Sequence, residues 1–164
     1  MEIKKIMVAL AFTKNAQAIF DYAAGFAEKF SSEIVAISVI NSRDVEAIES
    51  VATMGYNIDS EHYTEDIKKE RNELLEGIIK NSKFPKEKVK TVYKIGNPTD
   101  EILSAIVDES IDMIVLGVKG HTNLEHVFIG SVADKIFRKS PIPVVSFRPE
   151  GHANKLLKRI KKYT

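Results

Sequence analysis

Strand-like and helix-like patterns alternate along this chain, and this alternation restricts the fold more than any other feature of the sequence. Runs rich in β-branched and apolar residues lie at 3–11, 33–40, 88–95, 112–116 and just after Pro143, ending near Phe147. The segments between them place apolar residues three and four positions apart, the spacing of a helix with one buried face. Strands that alternate with helices form parallel sheets through right-handed crossovers. The sequence therefore predicts an α/β fold, a doubly wound five-stranded parallel sheet with strand order 3-2-1-4-5 and helices on both faces.

Residues that begin helices set the expected boundaries. Thr13 is expected to cap a first helix that runs to about Phe30. The turn Gly96-Asn97-Pro98 is expected to begin a helix that reaches about residue 109, because proline suits the first helical position. A further helix is predicted over 131–139.

The segment 41–82 gives a weaker pattern. Residues 41–60 are expected to be irregular or weakly helical, and a charged helix is predicted over 61–82. The apolar residues expected to point inward from this helix are Ile67, Leu74, Leu75, Ile78 and Ile79. Its acidic residues are mixed with Lys68, Lys69 and Arg71, which is typical of a solvated face.

Composition narrows the class of protein. The 164 residues fit a single domain, which we expect over 1–148, followed by a basic tail or short helix at 149–164. The absence of cysteine excludes disulfides, thiolate metal sites and thiol nucleophiles. A formal net charge of +1 gives no overall electrostatic attraction for nucleic acid, so no nucleic-acid partner is expected. No apolar run approaches the ~20 residues of a membrane span, and the start does not read as a signal peptide, so we expect a cytoplasmic protein.

The loop over 117–131 is the strongest functional signal. It follows the fourth strand and carries Gly117, Gly120 and Gly130, with Ser131 where a helix begins. Ligands of doubly wound sheets bind at the carboxyl ends of the strands, and the first N–H groups of a helix suit phosphate. Two interpretations fit these residues. One is a phosphate-binding loop, and the other is three glycines that end a strand, form a turn and start a helix.

The spacing Gly117, two residues, Gly120, nine residues, Gly130-Ser131 resembles the ATP-binding signature of universal stress proteins. The segments 119–124 and 139–145 and the turn at Gly96 also resemble that family, and the resemblance extends over about 3–147. It implies ATP or AMP, with Mg²⁺ where the nucleotide carries it. It also implies a homodimer formed through the fifth strand, whose apolar edge suits a partner.

The resemblance implies a role for each matching residue. Gly117 and Gly120 line the ribose and phosphate path, while Gly130, Ser131 and Val132 present donors to the phosphates. The end of the second strand, around Val39, lies by the adenine. Ala9 and Leu10 approach the base from the first strand.

One position departs from the family pattern. ATP-binding members carry an aspartate at the end of the first strand, where this chain has Ala11. A hydrogen bond to a charged group contributes roughly 1.5–3 kcal/mol. Its loss therefore predicts roughly ten- to a hundredfold weaker binding of adenosine nucleotides.

Catalysis has little support in the sequence. No nucleophile–base pair is evident, no catalytic residue is assigned, and His121 and His126 have no third ligand at metal spacing, so no metal site is predicted. The phosphate-loop NTPase and Gly-x-Gly-x-x-Gly signatures are absent. A slow ATPase and a dimeric interaction module with a weakened or empty pocket remain as alternatives to a regulatory nucleotide-binding protein.

The basic tail is a separate question. A helix over 154–163 would place Leu156, Ile160 and Tyr163 on one side. We expect it to dock on its own protein or on a second subunit, or to fray. The alternative is a basic segment that meets nucleic acid or an anionic membrane.

Overall fold

A parallel sheet forms the centre of the fold in the computed structural model, which describes residues 2–53, 60–118 and 130–161. Within those ranges the sheet has five strands, all paired in parallel. They are β1 (Lys5–Ala9), β2 (Glu33–Asn41), β3 (Val89–Gly96), β4 (Met113–Gly117) and β5 (Val144–Phe147). Their order is β3-β2-β1-β4-β5, which confirms the predicted topology. The order reverses direction between β1 and β4, where doubly wound sheets bind ligands.

Helices cover both faces of the sheet, as predicted. The described helices are α1 (Ala16–Phe30), α2 (Ser42–Thr53), α3 (Ser60–Ser82), α4 (Pro98–Asp108), α5 (Ser131–Lys139) and α6 (Glu150–Ile160), with a 3₁₀ turn at Lys86–Lys88. Side chains of α1 and α3 pack on one face with Ile6 and Val8, and those of α4 and α5 pack on the other with Met7 and Ile114. Both faces are therefore buried, which explains the near-continuous apolar sequence of the central strands.

Two helix starts test the capping predictions. The expected N-cap at Thr13 is wrong, because α1 begins at Ala16 and Asn15 occupies its N-cap position without a side-chain bond. The carbonyl of Thr13 instead accepts a 2.8 Å hydrogen bond from the Ala16 amide. The expected start of α4 is confirmed, since Pro98 lies in its first turn and the Asn97 side chain accepts a 3.0 Å bond from the Thr99 amide.

The segment after β2 is more regular than predicted. Residues 42–53 form α2, although they were expected to be irregular or weakly helical. Among the side chains of this helix that the structure describes, Val45 and Ile48 are the apolar ones that are partly buried, so the helical pattern is weak. In α3 the inward direction predicted for Leu74 is wrong, because its side chain is 47% exposed. Leu75, which was also predicted to point inward, is buried.

The basic segment after β5 forms α6, which begins four residues earlier than the helix predicted at 154. Leu156 is partly buried, whereas Ile160 is 60% exposed. Tyr163 lies outside the described residues. In the part of the chain that the structure describes, no helix is long and apolar enough to cross a membrane.

Candidate functional site

Two backbone hydrogen bonds after β4 hold the start of α5 next to the sheet. The Val118 amide donates a 3.3 Å hydrogen bond to the Phe147 carbonyl, which continues the path of β4 past its last residue. The Gly130 amide then donates a 2.8 Å bond to the Val118 carbonyl. This bond holds Gly130, the residue directly before α5, beside Val118, the residue directly after β4. It also occupies the Gly130 amide, which was predicted to face the phosphates.

The first turn of α5 has backbone donors that find no partner within the helix. Gly130 is the N-cap residue, with φ −57° and ψ 145° and no side-chain cap. The first helical bond is donated by Asp134 to the Gly130 carbonyl, at 3.0 Å. The amides of Ser131, Val132 and Ala133 therefore precede the hydrogen-bonded part of the helix and have no partner within it. Ser131 is exposed and Val132 is half-buried.

A carboxylate also lies in this first turn. Asp134 contributes negative charge, and Arg138 pairs with it at 3.1 Å, one turn along the helix. This pair is exposed, so solvent screens it strongly. The Asp134–Arg138 pair does not use the backbone amides of 131–133.

The predicted residues of β1 and β4 lie side by side. Ala9 pairs with Leu116 of β4, next to Gly117, and Ala9 also pairs with Ile37 of β2. Leu10 is buried in the core under α1, and its amide donates a 3.0 Å bond to the Ile37 carbonyl. Its side chain therefore belongs to the core and leaves only the backbone near the site.

The turn after β1 has an unusual backbone. The strand ends at Ala9, two residues before the predicted limit, and Ala11 is exposed. Phe12 adopts φ 48°, in the left-handed region that aromatic residues rarely occupy. A residue in that region costs roughly 1–3 kcal/mol unless the surroundings hold it in place. The Phe12 side chain is packed against the α1-side core, which provides such a constraint.

Arg71 lies on Val39 at the end of β2, and sequence analysis missed it. Its Nη1 donates a 2.7 Å bond to Ser38 Oγ and a 3.0 Å bond to the Val39 carbonyl. Its guanidinium carbon lies 6.0 Å from the centre of the Phe12 ring. The predicted solvated position of Arg71 is therefore wrong. The signal was its spacing, because Arg71 precedes the buried Leu75 and Ile78 by four and seven positions.

Burial and nearby charge act on Arg71 and on Tyr93. Burial lowers the pKa of the Arg71 guanidinium from its ordinary value, against the opposing effect of Asp44 and then Glu70. In the described ranges no carboxylate forms an ion pair with Arg71 within 4.0 Å. Burial also raises the pKa of the Tyr93 phenol, and Arg71 opposes that shift. The end of β2 thus carries a partly desolvated cation without a contacting anion.

The other residues predicted to be functional belong to the loop between β4 and α5. Gly120, His121 and His126 lie outside the described residues. Among residues 2–53, 60–118 and 130–161, no group of three histidine, aspartate or glutamate side chains is placed to hold a metal ion. The predicted site residues that the structure describes are Ala9, Leu10, Val39, Gly117, Gly130, Ser131 and Val132. Arg71 contacts one of them, Val39.

Comparison with known proteins relates this arrangement to one family. The model of the universal stress protein family matches residues 2–148. Universal stress protein MJ0577 of Methanocaldococcus jannaschii is 27% identical over 150 residues, which cover 87% of this chain and 93% of that protein. The solved structure of MJ0577 aligns with a TM-score of 0.74 at 24% identity, over 92% of this chain and 99% of that one.

Two further solved structures share the fold and were determined with nucleotides. A universal stress protein in complex with cAMP aligns with a TM-score of 0.60 at 15% identity, over 90% of this chain and 98% of that one. The universal stress protein of Archaeoglobus fulgidus in complex with dAMP aligns with a TM-score of 0.58 at 20% identity, over 90% and 100%. With its sheet order, its α5 start and a family match over 2–148, the chain belongs to the universal stress protein family.

Proposed function

We propose that this chain is a regulatory protein that binds a nucleotide through its phosphates at the start of α5. The observation that carries the proposal is the 2.8 Å bond from Gly130 to Val118. It holds the amides of 131–133, which have no partner within the helix, beside the carboxyl end of β4. Helix N-termini in this position suit phosphate because their N–H groups and dipole both favour an anion. The complexes of two relatives with cAMP and dAMP support the same class of ligand.

Each site residue has a proposed role. The amides of Ser131, Val132 and Ala133 donate to the phosphates, while the Gly130 amide stays on the Val118 carbonyl. Gly117 and Gly120 line the path to the ribose. Ala9, Leu10 and Val39 lie towards the base. ATP and AMP are the first nucleotides to test, and Mg²⁺ enters on the phosphates of ATP rather than on a set of protein ligands.

Calorimetric titration of the full chain with ATP, AMP and Mg²⁺ tests the proposal. Gly130→Leu is the informative variant, because φ −57° is open to any residue while the new side chain occupies the phosphate position. Gly25→Leu is the matched control, since Gly25 is exposed on α1 with no atom near its added Cβ. Saturable binding that is lost in Gly130→Leu and kept in Gly25→Leu supports the proposal. No heat and no thermal shift at millimolar nucleotide would refute it.

A dimeric interaction module is the second candidate, and Ala11 favours it because the carboxylate of ATP-binding members is absent there. The edge strand β5 would then carry the function, since its outer side pairs with no strand in the described sheet. Light scattering and mass spectrometry of freshly purified protein separate the two candidates. A dimer that carries no nucleotide and binds none favours the module, and a co-purified nucleotide contradicts it.

A further inference from the structure

We propose that Arg71 reads the base of the bound nucleotide and makes the site prefer guanine to adenine. This inference rests on the proposed function, because the phosphates must first place the nucleotide on α5. It concerns the end of the site away from α5, where β2 extends beyond the last residue of β1.

The space at that end follows from the strand register. Carbonyls two residues apart on a strand point to the same neighbouring strand. The Ile37 carbonyl points to β1, where it accepts the bond from Leu10, so the Val39 carbonyl points past the end of β1. Arg71 fills this place, with its guanidinium on the Val39 carbonyl and the Phe12 ring close by.

The distance across the sheet suits a mononucleotide. β1 separates β2 from β4, and adjacent strands lie about 4.8 Å apart. The ends of β2 and β4 are therefore about 10 Å apart, twice that spacing. This separation is comparable to the length of a nucleoside monophosphate from its phosphorus to the far edge of its base. A phosphate on α5 thus leaves the base close to Val39 and Arg71.

The donor pattern of Arg71 decides between purines. Both of its bonds to β2 use Nη1, so Nε and Nη2 form a second fork that Ser38 and Val39 do not use. Guanidinium groups only donate, and guanine offers two acceptors, O6 and N7, to such a fork. Adenine offers N7 beside the N6 amino group, which is itself a donor. An aspartate would accept from that amino group, but Ala11 supplies no acceptor side chain.

The experiment measures dissociation constants of GMP, IMP, AMP and pyrophosphate for the full chain. IMP is the critical probe, because it keeps O6 and N7 and lacks the 2-amino group of guanine. We expect GMP and IMP to bind about tenfold more tightly than AMP, the size of effect that one bidentate pair supplies.

Variants of Arg71 connect the preference to this side chain. Arg71→Gln should abolish the difference between GMP and AMP while pyrophosphate binds as before. Arg71→Lys keeps the charge without the fork and should lose most of the preference. Lys69→Gln, an exposed change on the same helix, should keep it. Circular dichroism of each variant checks the fold.

Equal affinity for GMP and AMP, or an Arg71→Gln variant that weakens every ligand alike, overturns the inference and leaves the proposed function standing. Tight binding of GMP without IMP also overturns it, because the 2-amino group would then be read. If the unmodified chain binds neither pyrophosphate nor any nucleotide, the proposed function itself is refuted.

Discussion

The Arg71 side chain joins the middle of α3 to the Val39 carbonyl at the end of β2, at 3.0 Å. This bond satisfies a carbonyl that the sheet leaves unpaired, because β1 has already ended at Ala9. It also places a positive charge at the end of β2, near the Phe12 ring. The chain has Ala11 where the family resemblance leads us to expect an aspartate, so the proposed base end has Arg71 and lacks that carboxylate.

Restoring the missing carboxylate should cancel the preference for guanine. In Ala11→Asp the new side chain supplies an acceptor for an amino group or ribose hydroxyl and offsets the charge of Arg71. We expect AMP to gain about tenfold in affinity relative to GMP, as one hydrogen bond to a charged group would provide. Competition binding with the two nucleotides measures the ratio. Ala11→Asn, which adds similar bulk without charge, is the control, and an equal gain there would contradict the explanation.

The stability of the fold depends on the core under α1. Phe20 is fully buried there, and Phe20→Ala should lower the free energy of unfolding by about 3–5 kcal/mol through lost contacts and a cavity. Phe30 lies at the end of the same helix but is 47% exposed, so Phe30→Ala should cost less than about 1 kcal/mol. Urea unfolding gives both values. Similar losses in the two variants would argue against the described packing.

The start of α4 depends on one side-chain cap. Asn97→Ala removes the acceptor for the Thr99 amide and should lower the free energy of unfolding by about 1 kcal/mol. Ser104→Ala, an exposed change within α4, should leave it within about 0.5 kcal/mol. Thermal or urea denaturation measures the difference. An unchanged midpoint for Asn97→Ala would show that the cap contributes little.

Alkaline pH should destabilise the protein through Tyr93. Its folded-state pKa lies above the ordinary value of 10.0, mainly through burial, so the folded state holds the phenolic proton more tightly than the unfolded chain. This contribution to stability is complete below about pH 10 and is lost as the pH rises through the folded-state pKa. Urea unfolding at about pH 9 and about pH 11 should show a smaller loss for Tyr93→Phe than for the unmodified chain. A larger loss of unfolding free energy in Tyr93→Phe would contradict the upward direction assigned to the pKa of Tyr93.

The parts of the fold that could be predicted from sequence share one property, which is strong periodicity. Strands such as β2 and helices such as α1 and α5 bury a whole face, so their apolar patterns are clear. Of the α2 side chains that the structure describes, the apolar Val45 and Ile48 are only partly buried, and the pattern was too weak to identify a regular helix.

The proposed site also has a part that local sequence predicts and a part that depends on tertiary packing. Gly130 and Ser131 lie in a contiguous motif, and their place at the start of α5 follows from local sequence. Arg71 reaches Val39 across 32 positions of the chain, a contact that depends on the packing of α3 against β2. Arg71 was assigned to a solvated face, although its spacing from Leu75 and Ile78 would have placed it on the buried side of α3. Only the tertiary structure shows which carbonyl it contacts.

The most direct test of nucleotide binding at α5 is the response of individual backbone amides. Titration of ¹⁵N-labelled protein with GMP and AMP, followed by NMR, should shift the amide signals of Ser131, Val132 and Ala133 along one saturable curve. The same amides should respond to pyrophosphate, because the phosphates alone contact them. If these three signals stay in place at millimolar nucleotide while the protein is folded, the start of α5 is not a phosphate site.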